Sequence, residues 1–259
     1  MKDNNAIKLA LLAGEIMLAS GAETTRVEDT MQRLMDAAGL IDPETFCTIT
    51  GIFASAKDKD GNIITKVRRV QQKDRENNFA KIAKVNNLSR NFVHGKMTID
   101  EALQTLKDID AVPPYSNLVK VFGAAIASMC FAYMFGGTWL HAINGFLSAA
   151  LMQIPILIME KHQVIPMLRI VAGGALGALF ALAFINLGLG ENIEFVVIGA
   201  IMPLVPGVAL TNAIRDVLDG NMIAGSARIL EALLIAVAIA AGVGTTMATW
   251  MSIFGGVFI

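Results

Sequence analysis

Charge almost leaves this chain at residue 117. Residues 1–117 hold 16 Lys/Arg and 16 Asp/Glu, whereas the remaining 142 hold only Lys120, Lys161, Arg169, Arg215 and Arg228 against Glu160, Glu191, Glu194, Asp216, Asp219 and Glu231. A single soluble core cannot absorb so long an apolar stretch, and a mean hydropathy of +0.57 points the same way. The sequence therefore predicts an α-helical integral membrane protein with an N-terminal cytoplasmic α+β domain. Residues 1–112 are expected to form that domain, 113–117 a linker stiffened by Pro113 and Pro114, and 118–259 the transmembrane domain.

Apolar runs at 118–135, 139–159, 164–188, 193–214 and from 222 or later to about 252 each approach the ~20 residues needed to cross a ~30 Å hydrocarbon core. If the N-terminus is cytoplasmic, the five Lys/Arg of this half all fall at cytoplasmic helix ends, and the outer loop 188–194 carries only acids. That is the positive-inside pattern, and it predicts an outside C-terminus, with Trp139 and Trp250 at the outer interface. Gly173, Gly177 and Ala181 stack at helical spacing for close packing. The buried amides Asn144 and Gln153 read either as interhelical hydrogen bonds or as cavity lining.

The fourth run is interrupted. In PLVPGVALTNAIRDVLDGNMIAGSARILE, residues 203–231, Pro203, Pro206 and Gly207 break the helix, and Asn212, Arg215, Asp216 and Asp219 then recur on one helical face. Arg228 and Glu231 follow at i, i+3. Charges set so close to membrane sequence are costly and mark a functional site, since broken helices are how many transporters build a substrate site. On this reading the substrate meets Pro206, Gly207, Asn212 and Arg215, with Arg215 offering bidentate capture of a carboxylate. Asp216, Arg228 and Glu231 are then candidates for a proton site. The alternative is structural: a cytoplasmic turn whose charges pair as Arg215–Asp219 and Arg228–Glu231.

In the N-terminal part, residues 6–19 predict a helix in which Lys8 and Glu15 argue against a signal peptide. Ser20-Gly21-Ala22-Glu23 reads as the capping box of a second helix, with Val27, Met31, Leu34, Met35 and Ala38 on its apolar stripe and Gly39 at its end. The polar cluster Glu23, Thr24, Thr25, Arg26 and Glu28 is either a gate or an ordinary capped, solvated helix start. Residues 45–56 and 62–70 predict strands around the Asp60-Gly61 turn. Asp58-Lys59-Asp60-Gly61-Asn62 lacks the remaining acids of a calcium loop and reads as that turn. Two further helices are expected, over 77–93 with Phe79, Ile82 and Phe92 buried, and after a capping box at Thr98 and Glu101.

Other chemistries find no support. The soluble part is electrically balanced, which argues against a nucleic-acid partner. Cys47 and Cys130 suggest neither a disulfide nor a metal site, His94, His141 and His162 are scattered, and no nucleotide-binding or hydrolase motif is present. We expect no cofactor and no enzyme activity, and a transporter of this kind would draw on an ion or substrate gradient.

PGVALTNAIRDVLDGNMIAGSARILEALLIAVAIAAG and LLAGEIMLASGAETTRVEDTMQRL resemble the larger half of the threonine/serine exporter family, and together they span the chain. The resemblance implies a secondary exporter of threonine and serine across the bacterial inner membrane, driven by the proton-motive force. Some family members resemble dicarboxylate exporters, so succinate is an alternative cargo. Where the two halves are fused, a smaller membrane half follows, whereas this sequence stops at Ile259; a separate small membrane subunit and an oligomer are therefore expected. The competing classes are a membrane-anchored sensor or enzyme and a structural or regulatory subunit, with Glu23, Thr24, Thr25 and Gln153 as gating candidates under the exporter reading.

Overall fold

The computed structural model describes residues 2–58, 60–70, 77–113 and 115–254. Lys59, Pro114 of the expected linker and the last five residues of the expected transmembrane domain lie outside them. The chain forms two compact units, one of residues 1–113 and 207–231, the other of 114–206 and 232–259.

In the first unit, α1 (Lys2–Ala19) is the central element. Ile7, Leu9, Ala10, Ala13, Ile16 and Met17 bury most of its circumference, and α2, α3, α4 and two strands pack around it. Its exposed positions are few, and the half-buried Glu15 pairs with Arg68 at 3.2 Å. Gly14 lets α2 (Thr24–Ala37) lie close, because a Cβ there would sit 2.4 Å from the Met31 sulfur. Val27, Met31, Leu34 and Met35 fill the α2 side, as the spacing predicts, and Gly39 at φ +82° ends the helix.

The capping box at Ser20–Glu23 does not form. Gly21, at φ +87°, turns the chain out of α1, and the Ala22 N–H returns to the Met17 carbonyl, so Ser20-Gly21-Ala22 closes the first helix. Helix α2 then starts at Thr24, and Glu23, its N-cap residue, makes no side-chain cap.

The stretch 45–56 is two strands rather than one. β1 (Ile41–Thr48) turns at Ile49-Thr50 into β2 (Gly51–Lys57), which turns again into β3 (Ile63–Arg69), giving an antiparallel sheet of order β1-β2-β3. The break escapes a propensity reading because Ile49 and Thr50 are themselves β-formers; the Thr48 hydroxyl supports the turn by accepting the Thr50 N–H at 3.4 Å. The second turn is held by Asp58, whose carboxylate accepts the Asp60 and Asn62 N–H groups and the Asn62 side chain, and these bonds hold its carboxyl below the ordinary value.

Helix α3 (Phe79–Val93) is capped by Asn78, and α4 (Ile99–Asp110) by the predicted box between Thr98 and Glu101. Ile82, Val85, Leu88 and Phe92 are buried, but Phe79 is exposed, because at the first turn it falls off the flank of that stripe.

The second unit is helical: α5 (Asn117–Met134), α6 (Trp139–Lys161), α7 (Pro166–Asn186) and α8 (Ile193–Ile201) precede a 3₁₀ turn, Met202–Leu204. Helix α9 (Gly207–Leu218) starts again at the glycine of PLVPG, and α10 (Met222–Phe254) begins in the first unit and continues in the second. Among the described residues four helices are long and apolar enough to cross a membrane, or five if the broken pair is one span. Small residues set the packing. A Cβ on Gly177 would lie 3.1 Å from the Met152 sulfur, one on Gly199 would reach Ala132 at 2.7 Å, and one on Gly242 would fall 2.2 Å from the Val171 carbonyl oxygen. Asn144 works as interhelical glue: its amide donates to the carbonyls of Ala181 at 3.2 Å and Leu189 at 2.9 Å, while its oxygen accepts from Ser148.

Candidate functional site

The charged hairpin after the break belongs to the first unit, where it closes on the turn between α1 and α2. Helices α9 and α10 meet at Asp219-Gly220-Asn221, with Gly220 at φ +89°, and the fit is close enough that a Cβ on Gly225 would strike Val217. This brings Asn212, Arg215, Asp216, Asn221 and Arg228 against residues 21–28.

Asp216 is fully buried. Its Oδ1 accepts both the backbone N–H of Thr24, at 3.0 Å, and the Thr24 hydroxyl, at 2.9 Å. The cap missing from the start of α2 is therefore supplied by a carboxylate from α9, placed where the helix N-terminus favours negative charge. Oδ2 faces Arg228 Nε at 3.0 Å, off the line of a good hydrogen bond, and the guanidinium donates through its other arm to the Ala22 carbonyl at 2.9 Å. A buried ion pair offsets its desolvation only with added hydrogen bonds; here Thr24 supplies two to Oδ1 and Ala22 accepts one from the guanidinium.

Asn212 donates to the Gly21 carbonyl at 2.8 Å. Arg215 pairs with Glu23, rather than with Asp219 in the turn after its own helix, and most of its side chain stays in contact with solvent. Asn221 reaches three oxygens from the hairpin turn: Thr24 Oγ1 at 3.2 Å, Thr25 Oγ1 at 3.1 Å and Glu28 Oε2 at 3.3 Å. Glu28 completes the set by accepting the Cys47 N–H of β1 at 2.7 Å, so one carboxylate touches α2, the sheet and the α9–α10 turn. Burial pushes the Glu28 carboxyl above its ordinary value; the bonds from Cys47 and Asn221 oppose this, and the charge of Asp216 adds to it. Burial also drives the Cys47 thiol well up, with the Glu28 charge contributing, so that sulfur is a packing atom rather than a nucleophile.

Of the residues singled out in the sequence, Asn212, Arg215, Asp216, Arg228, Glu23, Thr24 and Thr25 come together. Glu231 lies one turn further along α10, and Gly207 opens α9. Pro206 and Gln153 fall in the second unit and are not part of this cluster. Sequence reasoning missed Asn221 and named Glu28 only within the polar cluster 23–28; the signal available for Asn221 was Gly220-Asn221, a turn dipeptide ending in an amide between two charged helices. Arg228 also faces Asp216, a pairing that joins successive helices and has no i, i+3 or i, i+4 signature.

The cluster offers two guanidinium groups, three carboxylates and two amides around the start of a helix, one guanidinium accessible and one buried. Such a set can recognise a small zwitterion or carboxylate, or exchange internal for external partners.

A family model described as "Putative threonine/serine exporter" matches residues 8–250. The chain is 25% identical over 239 residues to a "Probable threonine/serine exporter" of Mycobacterium tuberculosis, covering 92% of this chain and 45% of that protein. It is 25% identical over 249 residues to the "Threonine/serine exporter" of Corynebacterium glutamicum, covering 92% and 50%. It thus spans about half the length of these two relatives. Against the "Probable succinate transporter subunit YjjP" of Escherichia coli K12 it is 24% identical over 245 residues, covering 94% of each. No solved structure matches the chain.

Proposed function

The chain belongs to the threonine/serine exporter family, and from that premise we propose that it is a subunit of a multi-pass secondary exporter that moves small polar metabolites out across a bacterial inner membrane. Threonine and serine are the first cargo, by the names of the Mycobacterium and Corynebacterium relatives. The observation that carries the reading is the helix broken at PLVPG, whose charged continuation is held by Glu23, Thr24 and Thr25. Freed backbone groups at Pro206 and Gly207, together with Asn212 and Arg215, bind the substrate's charged ends. Glu23 occupies Arg215 between cycles, and the substrate carboxylate displaces it. Asp216, Arg228 and Glu231 form the ion-pair set through which the proton-motive force acts.

In this reading residues 1–112 form a cytoplasmic domain, the N-terminus is inside and the C-terminus outside. Glu23, Thr24 and Thr25 gate the site from the cytoplasmic side, and Gln153 lines the path within the membrane. A separate small membrane subunit completes the pore in an oligomer, which accords with the word "subunit" in the name of the Escherichia coli relative. A dicarboxylate such as succinate is the second cargo, favoured because that relative is matched along almost its whole length.

The test is efflux of labelled threonine, serine and succinate from preloaded cells, with and without a small membrane partner and with and without a protonophore. Protonophore-sensitive loss of one cargo only with both subunits supports the reading. No efflux in any combination rejects it in favour of a sensor or structural subunit.

A further inference from the structure

Helices α5 and α6 are joined by residues 135–138 alone and pack along each other, so the start of α5 and the end of α6 lie at the same end of the pair. Midway they touch: the Ser128 hydroxyl donates to the Gly145 carbonyl at 2.8 Å, and a Cβ on Gly145 would lie 3.1 Å from that hydroxyl oxygen. Towards the free end a groove of about 620 Å³ opens between the first turns of α5 and the last turns of α6. Leu118 and Val121 form one wall, Ile154 and Ile158 the other. Leu118 is 71% exposed and Ile158 55%, so the described residues leave this apolar surface uncovered.

The same groove has a polar lining, from Tyr115, Asn117, Lys120, Glu160 and Lys161. Lys120 Nζ lies 3.6 Å from the Glu160 carboxylate and its side chain is only 20% exposed, so the ammonium leans over the groove instead of reaching straight out to solvent. Lys161 is exposed. Two lysines against one glutamate leave one positive charge over. Such a lining selects an occupant that is anionic at one end and apolar along its length. A metabolite the size of an amino acid would leave the walls bare, and an apolar helix of another protein would leave the excess charge unmatched. A phosphodiester carrying acyl chains satisfies both, and basic pockets between membrane helices hold lipid headgroups in this way. A zwitterionic headgroup would bring a cation of its own to Lys161.

We propose that this groove binds an anionic glycerophospholipid, its phosphate held by Lys120 and Lys161 and an acyl chain lying along Leu118, Val121, Ile154 and Ile158. The placement in lipid rests on the multi-pass reading above; the headgroup preference is independent of what the protein exports. Glu160 limits the preference by neutralising part of the charge of Lys120.

The test uses the full chain in vesicles of phosphatidylcholine mixed with phosphatidylglycerol, one or the other carrying brominated acyl chains that quench tryptophan on contact. Leu118→Trp, combined with Trp139→Phe and Trp250→Phe, reports on the groove. Trp139, kept alone by Trp250→Phe, is 63% exposed at the opposite end of α6 and reports on the ordinary lipid surround. Residue 118 should prefer phosphatidylglycerol about fivefold, and residue 139 should show no preference. Lys120→Gln and Lys161→Gln should each bring the ratio at residue 118 down to about one, and Glu160→Gln should raise it. The exposed Lys161 keeps the test open if Lys120→Gln fails to insert. Equal quenching by both lipids at residue 118, or a preference that neither lysine variant lowers, overturns the site. Quenching at residue 139 with none at 118 also overturns it, because protein then fills the groove. No quenching at either residue rejects the multi-pass reading, and the site with it.

Discussion

Asp216 and Thr24, 192 positions apart, are joined twice: one carboxylate oxygen accepts both the N–H and the hydroxyl of Thr24. A helix start in the N-terminal segment is thus capped by the helix that resumes after the PLVPG break, and Arg228 locks the carboxylate from its other side. Anything that moves α9 disturbs the first turn of α2.

Removing the carboxylate should therefore cost more than a cap. Asp216→Ala removes the charge that Arg228 Nε faces at 3.0 Å and the acceptor of both Thr24 bonds, and breaking a buried pair costs about 3–5 kcal/mol. Thr24→Ala removes one bond to a charged acceptor and should cost about 1.5–3 kcal/mol. Thermal unfolding of the purified chain in detergent should rank them in that order; equal, small shifts would show that the network does not hold the fold.

Arg215 should behave differently. Its pair with Glu23 is largely open to solvent on the arginine side, so Arg215→Ala should change stability by no more than about 1 kcal/mol. If Arg215 captures a substrate carboxylate, the same change should lower efflux by an order of magnitude or more. Unchanged efflux would leave Arg215 only as Glu23's partner.

Glu28 predicts a pH dependence. Burial raises its carboxyl in the folded protein, so its contribution favours the folded state below the ordinary value near 4.5 and is lost as pH rises through the elevated folded value. Glu28→Gln removes the titration, and its oxygen still accepts the Cys47 N–H. The difference in thermal stability between variant and wild type should grow in the variant's favour over that rise, and a difference constant with pH would contradict the assignment.

Close helix packing in the second unit gives a fourth test. Gly242→Ala would bring a methyl 2.2 Å from the Val171 carbonyl oxygen, which backbone movement alone can relieve. Overpacking of this kind costs about 1–3 kcal/mol. Gly244→Ala, with open space around it, should be nearly neutral in the same melting experiment.

These sites show where sequence reading succeeds and where it stops. The break at PLVPG, the stripe on α2, the Thr98 box and the long apolar helices follow from local rules, because proline, glycine and periodicity act within a few residues. The grouping of Asn212, Arg215 and Asp216 on one face was equally legible. What that face meets was not, since no local rule says that the α1–α2 turn lies against it. The same limit hid the split of 45–56 into two strands, where β-forming residues occupy the turn, and the non-local cap on Thr24. The partners of His141 were not legible either, being groups of residue 138 and the backbone of a loop some fifty positions away, which carry no side-chain signature.

The most direct test of the central claim, that export works through the contact between the α1–α2 turn and the hairpin after the break, is a double-mutant cycle on efflux rate with Thr24→Val and Asp216→Asn, corrected for the amount of protein in the membrane. The account predicts that each single change slows efflux and that the pair together is no slower than the worse single, because both remove one connection. Efflux at the wild-type rate in both singles, or losses that simply multiply in the double, would contradict it.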